Sequence, residues 1–281
     1  LSGADLSGAD LTGANLSGAD LSNAKLGNAI LNNVNLSDAT LVVANLSFAS
    51  IRNADLSGAN LAYAKFNNAS IHYANMSNAN FAGASLSYCV LVNSNLTGSI
   101  LSGADMNSTT LGYSNLNGIY GGSSFGLWQE PLSAVYLNYA NMVSTTFVNA
   151  NLSGAIMVHA YLSGSNLSGA DISNAILVNS IFDSDSVGTA ANLSNTNLSG
   201  AYLSGARLQN TNLTGANLSG AILEETQQGT IEIPMYGAAN LTGAKLNNAD
   251  ISNAYLSGVI LKFAKLINAD LSGSDLSNSD L

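Results

Sequence analysis

A large apolar side chain recurs every fifth residue from Leu1 to Leu116 without a slip. Leu holds most of these slots, with Ile51, Phe66, Ile71, Met76, Phe81 and Met106 as substitutes. Two residues before each stands a small one: Ala4, Ala9, Ala14, Ala19 and Ala24, or elsewhere Val34, Cys89, Ser94, Ser99, Thr109 and Ser114. One large and one small apolar residue per five match neither the 3.6-residue period of a helix nor the two-residue period of a strand. Gly, Ser and Asn at most remaining positions disfavour a helix further. The period instead suits a coil that turns a corner every five residues, with Leu and Ala pointing into a narrow core.

The repeated unit reads ADL, ANL, ADI or ANM along most of the chain from Ala4 to Asp270. It resembles the A(D/N)LXX unit of the pentapeptide-repeat family. The resemblance implies an all-β fold, a right-handed quadrilateral β-helix with four pentapeptides per coil. Four sides predict that residues 20 apart share a column. One such column is Asn15, Asn35, Asp55, Asn75, Asn95 and Asn115, while its neighbour, Asp10, Ile30, Ser50, Ser70, Val90 and Thr110, contains no Asn. A column that keeps its chemistry supports the four-sided coil, and stacked amides can form a hydrogen-bonded ladder.

In the second half the same spacing aligns Asn151, Asp171, Asn192 and Asn212 as a polar column, if one extra residue is absorbed near Asp183–Ala191. It likewise aligns Tyr161, Ile181, Tyr202 and Ile222, with Ile156 and Ile176 one side away. These slots face outward in the family's fold, which predicts an exposed apolar strip. Roughly 50 pentapeptides make about 12 to 13 coils, a single solenoid over residues 1–281 roughly 60 Å long at about 4.8 Å per coil.

Two segments break the period, residues 117–136 and 224–237. Together they hold all four glutamates, both prolines and the only tryptophan. Insertions in solenoids become loops on one face and often bind partners. The candidates are Tyr120, Phe125, Trp128 and Glu130 in the first, and Glu224, Glu225, Glu232 and Tyr236 in the second. A loop that merely covers a wall of the coil is the competing reading. Asp183 and Asp185, in the third irregularity, are too few for a calcium site, and a solvated corner is preferred.

Chemistry-bearing motifs are missing. There is no phosphate-binding GxxxxGK[ST], no HExxH and no cysteine-based metal spacing. Ser124 sits in a Gly-x-Ser-x-Gly match without the helix that a hydrolase nucleophile requires. Cys89 fills a small inward slot, where a buried inert thiol is expected. His72 and His159 lie far apart and read as surface histidines. The sequence therefore predicts a non-enzymatic protein without cofactor. A net charge of −10 argues against nucleic-acid phosphates. No window approaches the roughly 18 apolar residues of a membrane span.

Three interaction functions remain. Both ends are near-ideal repeat, so open coils are expected to stack head to tail on copies of the same chain, giving a filament or surface structure. Leu1, Asp5, Asp10 and Asp20 would meet Asp270, Asp275, Asp280 and Leu281, with a divalent cation relieving repulsion between carboxylates. The second reading is an intracellular rod that docks another protein, in part through the loops. The third follows from acidic family members that mimic DNA and bind type II topoisomerases. It is weakened by the sparse Asp, against about one phosphate per 1.7 Å in a duplex. A Ser/Asn-rich, charge-poor surface leans toward an extracellular or cell-surface location, with the cytoplasm as the alternative.

Overall fold

The left-handed backbone at the third residue of every turn explains the composition of the repeat. In the computed structural model, which describes residues 1–119, 135–225 and 237–281, the N–H of Ala4 donates to the carbonyl of Leu1 at 3.0 Å. That bond closes a turn whose third residue, Gly3, has φ of 68°. A positive φ there marks a type II turn and favours Gly or Asn. Where the slot before the Leu holds Asp or Asn, it fixes the entry to the turn, because its Oδ1 accepts the N–H two residues on. Ser7 donates to Asp5 at 3.2 Å and Thr12 to Asp10 at 3.0 Å.

Successive coils pair in parallel, residue 5 with 25, 10 with 30 and 15 with 35. Three backbone bonds per pentapeptide link them: Leu6 N–H to Lys25 and Gly8 N–H to Gly27, both at 2.8 Å, and Lys25 N–H back to Ala4 at 2.9 Å. Wall carbonyls and amides thus find partners one coil away, which is what burial of a main chain requires.

The chain divides into two compact units, Leu1–Asn141 and Met142–Leu281. In each, the Leu and Ala slots of the inner coils are buried, while those of residues 1–19 and 264–281 are half-buried or exposed; Phe66 and Phe81 in the first and Phe147 and Phe182 in the second are among the largest core side chains. Several polar residues in the Ala slot bond their hydroxyl to a carbonyl, as Ser99 does to Leu96 at 2.7 Å and Ser94 to Ile71 at 3.0 Å, whereas that of Ser165 is buried without a partner.

The polar column expected in the first unit is present, running from Asn15 through Asp55 to Asn115. Asn75 Nδ2 donates to Asp55 at 3.1 Å and Asn95 Nδ2 to Asn75 at 3.2 Å. Asn supports both the turn and the ladder because it carries donor and acceptor, whereas Asp can only accept.

In the second unit the register corrects the expected alignment. Asp171 pairs with Asn197, not Asn192, and Asn192 pairs with Asn166. The polar ladders are Asn151–Asp171–Asn197–Asn217 and Asn166–Asn192–Asn212. The spacing across this coil is 197 − 171 = 26 residues, so six residues are inserted and not one. The chain leaves the wall after Phe182 and returns at Ala191, whose N–H donates to Phe182 at 2.9 Å. Between them Asp185 organises a separate turn by accepting the N–H groups of Val187 and Thr189. The other two long coils show in the spacing of Asp105 with Tyr136, 31 residues, and Arg207 with Asn240, 33 residues. The repeat persists further than expected at both edges of the first break. Ile119 is buried in a core slot, and Val135 and Tyr136 are back in the wall.

Candidate interaction surfaces

The register rearranges the apolar strip. Tyr161 and Ile181 stack on each other, but the column continues to Arg207. Tyr202 and Ile222 belong instead with the pair one side away, giving Ile156–Ile176–Tyr202–Ile222–Tyr255 on five successive coils. The three isoleucines are half-buried, while Tyr202 and Tyr255 are 39% and 51% exposed. Within its unit this ladder is flanked by the polar column that contains Asn151, Asp171, Asn197 and Asn217. Glu224 joins its far end, since its N–H donates to the carbonyl of Tyr255 at 3.1 Å. Glu225 is exposed beside it. The remaining loop candidates, Tyr120, Phe125, Trp128, Glu130, Glu232 and Tyr236, lie outside the described residues, as does Ser124.

The terminal aspartates have local partners. Asp5 and Asp10 are held below the ordinary carboxylate pKa chiefly by side-chain hydrogen bonds from Ser7 and Thr12, helped by the backbone N–H of the same residues. Asp20, Asp270 and Asp275 are lowered in the same direction, first by the N–H of Ser22, Ser272 and Ser277. Asp5 also pairs with Lys25 at 3.4 Å and Asp280 with Lys262 at 2.6 Å. Within the first unit Asp10 stacks on Ile30 and Asp20 on Thr40, whereas in the second unit Asp270 stacks on Asp250. Among the described residues no group of three or more His, Cys, Asp or Glu side chains is placed to hold a metal ion. Asp183 pairs with Arg207, and Asp185 is engaged in its own turn.

Cys89 is buried, its Sγ 2.7 Å from the carbonyl of Phe66, and desolvation pushes its pKa up to about 12. The thiolate needed for nucleophilic chemistry is therefore disfavoured. His72 and His159 are half-buried rather than fully on the surface. Burial, and then the charge of Arg52, lower the pKa of His72, which leaves it neutral at pH 7.

Sequence reasoning missed the bulky residues at the left-handed turn position. Phe48, Tyr63, Tyr73, Tyr88, Tyr113, Tyr139 and Phe263 all have φ between 57° and 61° and are strongly exposed. The signal was present as departures from Gly or Asn in that slot.

A four-sided coil of pentapeptides with these turns and ladders defines a class, the repeat β-solenoid. The chain belongs to the pentapeptide-repeat family, whose members fold as right-handed quadrilateral β-helices. The family model, Pentapeptide repeats, matches residues 1–38, 39–72, 74–112, 132–169, 145–183, 189–226 and 239–278. Among solved structures the chain is similar to HetL, a pentapeptide repeat protein involved in heterocyst differentiation regulation from the cyanobacterium Nostoc sp. strain PCC 7120. The identity is 29% over 99% of this chain and 87% of HetL, with a TM-score of 0.34. A pentapeptide repeat protein of the Arabidopsis thaliana thylakoid lumen is 28% identical over 42% of this chain and 66% of its own, with a TM-score of 0.29. A trypsin-treated form of QnrB1, a plasmid-mediated fluoroquinolone resistance protein, is 18% identical over 74% and 91%, with a TM-score of 0.33. No curated protein matches the chain. No helix among the described residues is long and apolar enough to cross a membrane.

Proposed function

We propose that this protein is a non-enzymatic docking solenoid that receives a protein partner along the apolar ladder of its second unit. The observation that carries the reading is the five-coil column Ile156–Ile176–Tyr202–Ile222–Tyr255 beside a polar column in which Asn197 donates to Asp171 and Asn217 to Asn197. An apolar strip rimmed by polar groups is what a recognition surface looks like. Outward slots in this fold are interchangeable with Asn or Asp, so packing of the core does not require apolar residues there. Glu224 and Glu225, at the end of the strip, would contribute charge selectivity at its rim. Site-specific photo-crosslinkers test the reading in the native cell. Crosslinkers at Tyr202 and Tyr255 should yield one common adduct that a crosslinker at Asn212, two sides away from the ladder, does not. No adduct at the ladder, or the same adduct from Asn212, removes the proposal.

Head-to-tail association is a second reading, favoured by complementary coil edges. Among the described residues, the N–H groups of Asp5, Asp10, Asn15 and Asp20 at one edge have no backbone acceptor. At the other edge the same holds for Leu266, Leu271 and Leu276. A further coil of the same repeat, from this chain or another copy, would satisfy either edge with the wall bonds already described. Sedimentation of residues 1–281 should then show mass rising with concentration, and a strictly monomeric profile at high concentration removes self-association. Duplex mimicry is not favoured, since among the described residues no column places Asp in more than two successive coils. An exported location remains part of this proposal.

A further inference from the structure

Six aromatic residues of the first unit occupy the turn position that suits them least, and five of them lie at the two corners that bound one side. Phe48, Tyr73, Tyr88, Tyr113 and Tyr139 have φ of 61°, 58°, 61°, 61° and 57°, a region where a bulky side chain is strained and Gly or Asn is not. All are 58–69% exposed, so burial does not offset the strain. Strain of this kind persists where the side chain serves something other than the fold.

Their placement is ordered. Phe48, Tyr88 and Tyr139 follow one corner, with Ser108 N–H bonded to Asn138 setting the last step. Tyr73 and Tyr113 follow the next corner along the chain. Between the two corners runs the column Ser50–Ser70–Val90–Thr110–Asn141. Coil by coil, the rings alternate from one edge of this side to the other, one ring per coil. Each step advances about 4.8 Å, and rings on the same edge repeat at about 9.6 Å. Of the other two corners, one carries Tyr63, and the other, with Gly18, Asp38, Gly58, Asn78 and Gly98 in the equivalent slot, has no aromatic residue there. The central column is uncharged from Ile30 to Asn141, unlike its neighbour with Lys25, Lys65 and Asp105. His72 is neutral, which leaves Arg52, at one end, as the only charge on this side among the described residues of these coils.

We infer that this side of the first unit binds a linear, uncharged β-1,4-linked glycan lying along the coil axis. Aromatic rings present flat apolar faces that stack on the C–H faces of pyranose rings. The hydroxyls and amides of the central column supply uncharged donors and acceptors for sugar hydroxyls. In a β-1,4-linked chain each sugar is turned over relative to the last and advances by a length close to one coil. That two-fold alternation matches rings that switch edges at every coil. The neutral face complements a neutral polymer and offers an anionic one almost no counter-charge. A polyproline helix has three residues per turn at about 3.1 Å each and lacks the two-fold alternation. The inference stands apart from protein docking, which uses the other unit.

Adsorption isotherms on microcrystalline cellulose and on chitin test it, with a proline-rich peptide resin and an α-linked glucan as comparisons. The folded protein is expected to adsorb to a β-1,4-linked polymer and not to the comparisons. The triple variant Tyr73→Asn, Tyr88→Asn and Tyr113→Asn installs the preferred turn residue. It should melt at the same or a higher temperature, while adsorption falls about tenfold or more. Phe263→Asn, an equivalent change in the second unit, should leave adsorption unaltered. If the triple variant does not fold, Tyr88→Asn and Tyr88→Phe make the same distinction, the first weakening adsorption and the second retaining it. Adsorption to neither polymer, adsorption indifferent to loss of the rings, or equal binding to the proline-rich resin overturns the inference.

Discussion

Replacing Asn75 by Ala removes one rung of the polar ladder and measures what that ladder contributes. Asn75 Nδ2 donates to Asp55 at 3.1 Å, and its Oδ1 accepts from Asn95 Nδ2 at 3.2 Å. The same oxygen accepts the N–H and hydroxyl of Ser77 at 3.3 and 2.9 Å. Neutral hydrogen bonds stabilise by about 0.5–1.5 kcal/mol each, and one to a charged group by about 1.5–3 kcal/mol. The partners are half-buried and regain water after truncation, so the sum is discounted to about 2–3 kcal/mol. Ser70→Ala, at the equivalent slot of the adjacent column, should cost less than about 0.5 kcal/mol. Urea unfolding followed by circular dichroism, with hydrogen exchange to localise the loss, reads the difference. Asn75→Asp adds a sharper test, because it keeps the Ser77 bonds but sets a carboxylate opposite Asp55. Like charges raise the folded pKa of the new acid, so the variant should be least stable at neutral pH and recover as the pH falls through that value. Equal midpoints for Asn75→Ala and Ser70→Ala would refute the reasoning.

Other perturbations follow from the same geometry. Phe66 and Phe81 are fully buried with ring centroids 5.9 Å apart, and Phe66→Ala should cost about 3–5 kcal/mol in the same urea assay. Asp5, Asp10, Asp20, Asp270 and Asp275 have folded pKa values below the ordinary 3.8. Their contribution is complete above that value and lost as pH falls through the folded values. Residues 1–20 and 262–281 should therefore lose rate-corrected amide protection before the central coils on acidification. Cys89 should resist thiol reagents in the native protein and react only after unfolding, because its thiol is buried and its pKa is near 12; prompt labelling of native protein would contradict this.

The wall of the coil was legible because a five-residue period excludes both a helix and a regular strand, and the A(D/N)LXX unit resembles that of a family whose coils have four sides. The 20-residue columns followed from the chemistry kept by Asn15, Asn35, Asp55 and Asn75. What stayed hidden was the size of the insertion between Phe182 and Ala191. A five-residue phase reports register only modulo five, so one extra residue and six extra residues look identical. The structure resolves it through the internal bonds of Asp185, which hold the segment out of the wall. The apolar strip was therefore visible in kind but not in membership. The aromatic turn residues were overlooked because the slot they occupy carries no core side chain. Only its positive φ, recorded at Phe48 or Tyr88, shows how ill-suited those side chains are to it.

The identity of the apolar ladder rests on that register, and paired cysteines test it most directly. In a Cys89→Ala background, Ile176→Cys with Tyr202→Cys places the pair on bridged positions of adjacent coils. Adjacent strands lie about 4.8 Å apart, within the range of about 4.4–6.8 Å that a disulfide spans. This pair should oxidise readily in the folded protein, whereas Ile181→Cys with Tyr202→Cys, one side apart, should not. Oxidation of the second pair and not the first would contradict the 26-residue coil and with it the docking surface.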